Sequence, residues 1–89
     1  MVEIKKINKR TFEVTVQERT TTKHEVTVAP SYYEKLTNGS VSPEKLVEKS
    51  FEFLLERESN TSILRKFDLS VISQYFSDYE KEIQKLLQK

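Results

Sequence analysis

From Thr11 to Val28 apolar and polar residues alternate. Phe12, Val14 and Val16 are separated by Thr11, Glu13, Thr15 and Gln17, and His24, Val26 and Val28 by Lys23, Glu25 and Thr27. A period of two is that of a strand with one buried face. Glu18-Arg19-Thr20-Thr21 is short enough to join the two strands as a hairpin. Val2 and Ile4 predict an earlier strand that returns through Asn8-Lys9-Arg10. The three would form an antiparallel meander, one face apolar and the other carrying threonines and mixed charge. Ala29-Pro30 ends it, because proline has no N–H to continue a ladder.

Beyond Pro30 the period changes. Pro30–Leu36 predicts a short helix with Tyr32, Tyr33 and Leu36 turned inward, and Asn38-Gly39 a turn after it. Ser42-Pro43-Glu44 is the strongest start signal in the chain: an N-cap, a proline in the first turn and an acid at the positive end of the dipole. On the helix begun there, Leu46, Val47, Phe51, Phe53, Leu54 and Leu55 cover an arc of about 200°, twice the stripe of an ordinary surface helix. Such a helix must be covered on two sides, by a sheet and by another helix. Ser50 lies inside the arc, where its hydroxyl can bond back to the carbonyl of Leu46.

Glu58-Ser59-Asn60-Thr61-Ser62 interrupts the pattern. Asn60 or Thr61 is expected to cap a short helix carrying Ile63, Leu64 and Phe67, and Asp68 to cap the next. Ile72, Tyr75, Phe76, Tyr79, Ile83, Leu86 and Leu87 then share roughly 120° of a last helix. Ser77-Asp78-Tyr79-Glu80 has the spacing of a capping box, so that helix is expected to break and restart at Ser77. The expected fold is α+β: a three-stranded antiparallel β-meander followed by three to four helices packed on one face. It forms a single domain over residues 1–89, with the meander in 1–29 and the helical part in 30–89.

Composition narrows the function classes. At 89 residues the chain is near the lower end of self-sufficient size. It has no cysteine, hence no disulfide framework, thiolate metal site or thiol nucleophile. Its longest strictly apolar run, Phe53-Leu54-Leu55, is far too short to span a membrane. The start, Met1-Val2-Glu3-Ile4-Lys5-Lys6, lacks the apolar stretch of a signal peptide. A cytoplasmic location is the expectation. Fifteen basic and 14 acidic residues leave a net charge of +1, and neither half has the one-sided charge of a nucleic-acid or membrane binder. One glycine rules out a glycine-rich phosphate loop.

Phe53-Leu54-Leu55-Glu56-Arg57-Glu58, Ser62-Ile63-Leu64, Phe67-Asp68-Leu69, Ile72 and Tyr75-Phe76 resemble a pattern found in short bacterial proteins of unassigned function. The resemblance implies a compact bacterial domain and brings no activity with it.

Several groups carry candidate chemistry. His24, the one histidine, would need a carboxylate such as Glu13 to orient it as a general base. Its phase matches Val26 and Val28, which favours a structural role. No second histidine or cysteine exists to share a metal ion with it. Glu44, Glu48, Glu52 and Glu56 form an acidic ridge that suits a basic peptide, a basic partner surface or a hard cation, against a plain solvated face with Lys45–Glu48 and Lys49–Glu52 pairs. Ser62–Phe76 mimics a helix-turn-helix: Ser70, Ser73 and Gln74 would face a groove, with Arg65 and Lys66 on phosphates. Asp78, Glu80 and Glu82 come next, which phosphates repel, and the turn lacks glycine. The tyrosines and phenylalanines sit at core phases rather than as stacking platforms, and Arg57 is placed to clamp a carboxylate or a helix end.

The sequence therefore predicts a small non-enzymatic protein with no cofactor and no metal, acting on a protein partner or a second copy of itself. Its working surface would be an open sheet edge or an uncovered part of the Val47–Leu55 arc, and a twofold dimer is the default assembly. The alternative is a nucleic-acid-binding regulator using Ser62–Phe76.

Overall fold

The computed structural model describes residues 1–88. Strands β1 (Val2–Lys6), β2 (Thr11–Gln17) and β3 (Thr21–Thr27) form the expected antiparallel meander. Helices α1 (Pro30–Thr37) and α2 (Pro43–Leu55) come next. A 3-10 turn at Asn60–Ser62 leads into a fourth strand, β4 (Lys66–Asp68), and helices α3 (Val71–Tyr75) and α4 (Tyr79–Leu87) complete the chain. The sheet is mixed, in the order β1-β2-β3-β4, and the architecture is α+β with helices packed on the sheet.

The alternation along β2 sorts its residues by face: Phe12, Val14 and Val16 are fully buried, and the intervening positions are half-buried or exposed. Across the ladder, Val14 faces His24 and Phe12 faces Val26, so the same side of β3 is apolar too. Asn38 and Gly39 take φ of 56° and 74°, and the Asn38 N–H bonds the Glu34 carbonyl to close α1. Ser42 caps α2 by accepting from the Lys45 N–H at 3.1 Å.

α2 lies in the middle. Phe51 and Phe53 are two residues apart, so they project about 200° from each other. The Phe51 ring reaches the sheet side, 5.4 Å from His24 and 6.1 Å from Phe67. Phe53 reaches the helical side, 5.3 Å from Tyr79 and 5.8 Å from Phe76. The wide arc thus has the two covers it requires, the sheet and α4. Ser50 donates to the Leu46 carbonyl at 2.7 Å and meets the Tyr79 hydroxyl at 2.6 Å.

Four expectations fail between Asn60 and Tyr79. No helix carries Ile63, Leu64 and Phe67. After the 3-10 turn the chain extends, and β4 pairs parallel to β3 with Phe67 opposite Val26. Phe67 gains more by lying against Phe51 than a short isolated helix would supply. Neither Asn60 nor Thr61 caps that turn; the cap position is Ser59, and Asn60 is buried. The last helix does break and restart, but α4 begins at Tyr79 after Asp78, and no side chain closes the expected capping box. Asp68 does not cap α3, whose cap position is Ser70 with no side-chain cap bond; its carboxylate closes the turn before the helix, accepting from the Ser70 N–H and hydroxyl at 3.1 and 2.9 Å.

Candidate binding surface

His24 sits on the apolar face of β3, where it is 1 % exposed. Its Nδ1 donates to the Leu64 carbonyl, since a carbonyl can only accept, at 2.8 Å. Nε2 is then the acceptor, and takes the hydroxyl proton of Thr22 at 2.8 Å. Thr22 in turn accepts from the Asn60 amide at 3.0 Å, and the same amide nitrogen donates to the Thr20 carbonyl at 2.7 Å. Every partner is satisfied with the imidazole neutral. Burial pushes its pKa below the ordinary 6.5 and the Arg65 charge adds to this, against the pull of the Leu64 carbonyl. Glu13 is not in reach: it pairs with Glu25 on the opposite face of the sheet. The structure does not bring together the two groups that acid–base chemistry would need here.

The acidic ridge is tied to its own helix. Glu48 lies 4.0 Å from Lys45, Glu52 3.2 Å from Lys49, and Glu56 3.5 Å from Arg57, while Glu44 sits in the first turn. Among the described residues no three histidine, aspartate or glutamate side chains converge as a metal site requires. Arg57 does clamp a helix end: its guanidinium lies 3.7 Å over the Phe53 ring, donates to the Phe53 carbonyl at 3.1 Å and reaches Asp78 at 3.3 Å.

The residues expected to read nucleic acid do not form a helix-turn-helix. Arg65 and Lys66 belong to the extended segment at β4, with Lys66 3.5 Å from Glu25. Ser70 is engaged by Asp68, and Ser73 donates to the Ser70 carbonyl at 2.8 Å. Gln74 is exposed on α3, a helix of five residues. A reader helix needs a first helix to hold it across the backbone, and that helix is replaced by β4.

What remains are surfaces. A shallow apolar groove of about 200 Å³ runs between the end of α2 and α3, flanked by the exposed side chains of Leu64 and Tyr75. It is smaller than the roughly 300–1,000 Å³ of typical ligand sites. The Val47–Leu55 arc itself offers no patch, because its apolar residues are buried and Leu55 partly so. The sheet offers more. With β4 on β3, β1 is the long free edge of the sheet among the described residues. Met1 and Gln17 exchange backbone hydrogen bonds, and the Ile7 N–H bonds the Thr11 carbonyl. In an antiparallel ladder such bonded pairs alternate. The N–H and C=O groups of residues 1, 3, 5 and 7 therefore point to β2, and those of Val2, Ile4 and Lys6 point outward.

Comparison with protein-family models, with curated proteins and with solved structures finds no match. Among the described residues no helix is long and apolar enough to cross a membrane.

Proposed function

We propose that this chain is a non-enzymatic interaction protein whose working surface is the free edge of β1. The observation that carries this is the outward row of backbone donors and acceptors at Val2, Ile4 and Lys6. An unpaired edge is a template for strand addition, and proteins that do not use one blunt it with proline, a bulge or a very short strand. Of the devices that blunt an edge, β1 carries only charge: it has five residues, no proline, and an unbroken register from Val2↔Val16 to Lys6↔Phe12. Its charges, Glu3, Lys5 and Lys6, are of both signs, so they do not simply repel an incoming strand.

Amide hydrogen exchange tests the reading. In dilute solution the Val2, Ile4 and Lys6 amides face water and exchange quickly. In an extract of the cells that make the protein, these three are expected to slow by about tenfold or more. Unchanged rates at the edge, or protection confined to Leu64 and Tyr75, would overturn it.

A further inference from the structure

We infer, on this same reading of the β1 edge, that its partner is a second copy of the chain, paired antiparallel about a twofold axis at Ile4. Only residues whose backbone groups point outward can exchange hydrogen bonds across the new seam. On β1 these are Val2, Ile4 and Lys6. Twofold registers that satisfy this condition and overlap most of the strand centre on Glu3, Ile4 or Lys5. Centring on Glu3 places Glu3 against itself, and centring on Lys5 places Lys5 against itself; like charges directly opposite are destabilising. Centring on Ile4 places each Glu3 against Lys5 of the other copy, twice by symmetry.

The same register solves a second problem. Met1 and Ile7 are two of the large apolar side chains left exposed, at 75 % and 51 %. They lie on the same face as Glu3 and Lys5, and pairing about Ile4 sets each Met1 against Ile7 of the other copy. These are the non-hydrogen-bonded positions of the seam, where side chains approach most closely. On the helix side, Ile4 meets Ile4, extending the apolar layer that Val14 and Val16 begin. At this one register the strand is self-complementary in backbone polarity, in its Glu3–Lys5 charges and in its Met1–Ile7 and Ile4–Ile4 contacts, with Val2 set against the aliphatic stem of Lys6. The product is one continuous eight-stranded sheet with an isologous interface, four strands coming from each copy.

The charges also continue a pattern within each sheet. Lys5 faces Glu13, Glu13 faces Glu25, and Glu25 faces Lys66, 3.5 Å away at the closest ion-pair atoms. Across the seam Lys5 gains a second acidic neighbour, which offsets the juxtaposition of Glu13 with Glu25.

Sedimentation equilibrium from about 1 µM to about 1 mM tests this. The mass is expected to rise with concentration from 10.5 kDa towards twice that value. Glu3→Lys sets a lysine against Lys5 of the other copy and is expected to weaken the dimer about tenfold or more, and Lys5→Glu to do the same through two glutamates. Mixed in equal amounts, the two variants restore opposite charges at both facing positions of the seam, which neither can do alone: the two lysines of the first variant meet the two glutamates of the second. The mixture is expected to dimerise where neither variant does by itself. Both positions are exposed or nearly so, and thermal unfolding checks that each variant keeps its fold. Lys5→Glu faces Glu13 within its own chain; should it unfold, Glu3→Lys, opposite the neutral Thr15, carries the comparison. A wild-type monomer at every concentration would overturn the second copy as partner. If the edge amides are still protected in extract, the interaction reading stands and the occupant is another protein. A dimer indifferent to both substitutions, or not rescued by mixing, would overturn the register.

Discussion

The Nδ1 of His24 lies 2.8 Å from the carbonyl oxygen of Leu64, 40 residues further along the chain. That bond holds β3 to the segment entering β4, where the Glu25 N–H also bonds the Arg65 carbonyl at 2.7 Å. An imidazole with both nitrogens committed and a phenyl ring 5.4 Å away is a structural fastener.

The fastener is pH-sensitive in a definite direction. The folded pKa is depressed and the unfolded value is the ordinary 6.5, so the unfolded chain binds more protons as pH falls. Stability is full above 6.5 and is lost progressively below it, down to the folded value. The thermal midpoint is expected to drop between about pH 7.5 and about pH 5.5. His24→Gln should flatten the profile in that window while lowering the midpoint overall. With one histidine in the chain, the titration has a single source. Glu80, whose carboxyl the Tyr32 hydroxyl holds below its usual range, titrates at lower pH. Imidazole nitrogen shifts at about pH 7.5 should report the Nδ1–H tautomer.

Ser50 and Tyr79 form a coupled pair in the centre of the helical layer. Ser50 has one proton, spent on the Leu46 carbonyl, so the Tyr79 hydroxyl must donate to Ser50 at 2.6 Å. Tyr79→Phe is expected to cost about 1 kcal/mol, and Ser50→Ala about 2 kcal/mol because it strands a buried hydroxyl. The double variant should cost less than the sum, since no partner is left unpaired. Urea unfolding of the four proteins measures the coupling, and strict additivity would refute it.

Asn60 presents its amide nitrogen to the Thr20 carbonyl and the Thr22 hydroxyl, with the Val16 carbonyl at 3.5 Å. Asn60→Asp replaces that donor by a carboxylate facing oxygen atoms, and is expected to cost about 3 kcal/mol or more at neutral pH. Asn60→Ala should cost about 2 kcal/mol. Chemical denaturation gives both values. An aspartate tolerated as well as the alanine would mean that the amide is not held as described.

Gly39 occupies φ +74° after Asn38, itself at +56°. A methyl group there has room, the nearest side-chain atom being 3.6 Å away, so the penalty is one of backbone conformation. Gly39→Ala is expected to lower stability by about 1 kcal/mol in thermal unfolding, with no change in the far-ultraviolet spectrum.

Local rules read well wherever the deciding contact was close in sequence. The alternation at Phe12, Val14 and Val16, the Ser42 cap and the Ser50 back-bond each depend on neighbours a few residues away, and all are present. The helical reading of Ile63–Phe67 failed because three residues, Lys66-Phe67-Asp68, are too few to show a period of two. Their extended form comes from a parallel pairing with Glu25, Val26 and Thr27. Asn60 looked like a cap because asparagine favours caps; its partners, Thr20 and Thr22, are about 40 residues earlier. The edge at β1 was visible only as one strand among three, and the direction of its free backbone groups required the register.

Sequence alone settled the meander and the central helix with its two apolar flanks, because strand and helix periods and the Ser42 cap are properties of consecutive residues. Tertiary structure alone settled the fourth strand, the partners of His24 and Asn60, and which edge of the sheet stays open. Those features depend on residues brought together only after α1 and α2 have carried the chain from β3 to β4, and no local pattern encodes a contact made at that distance.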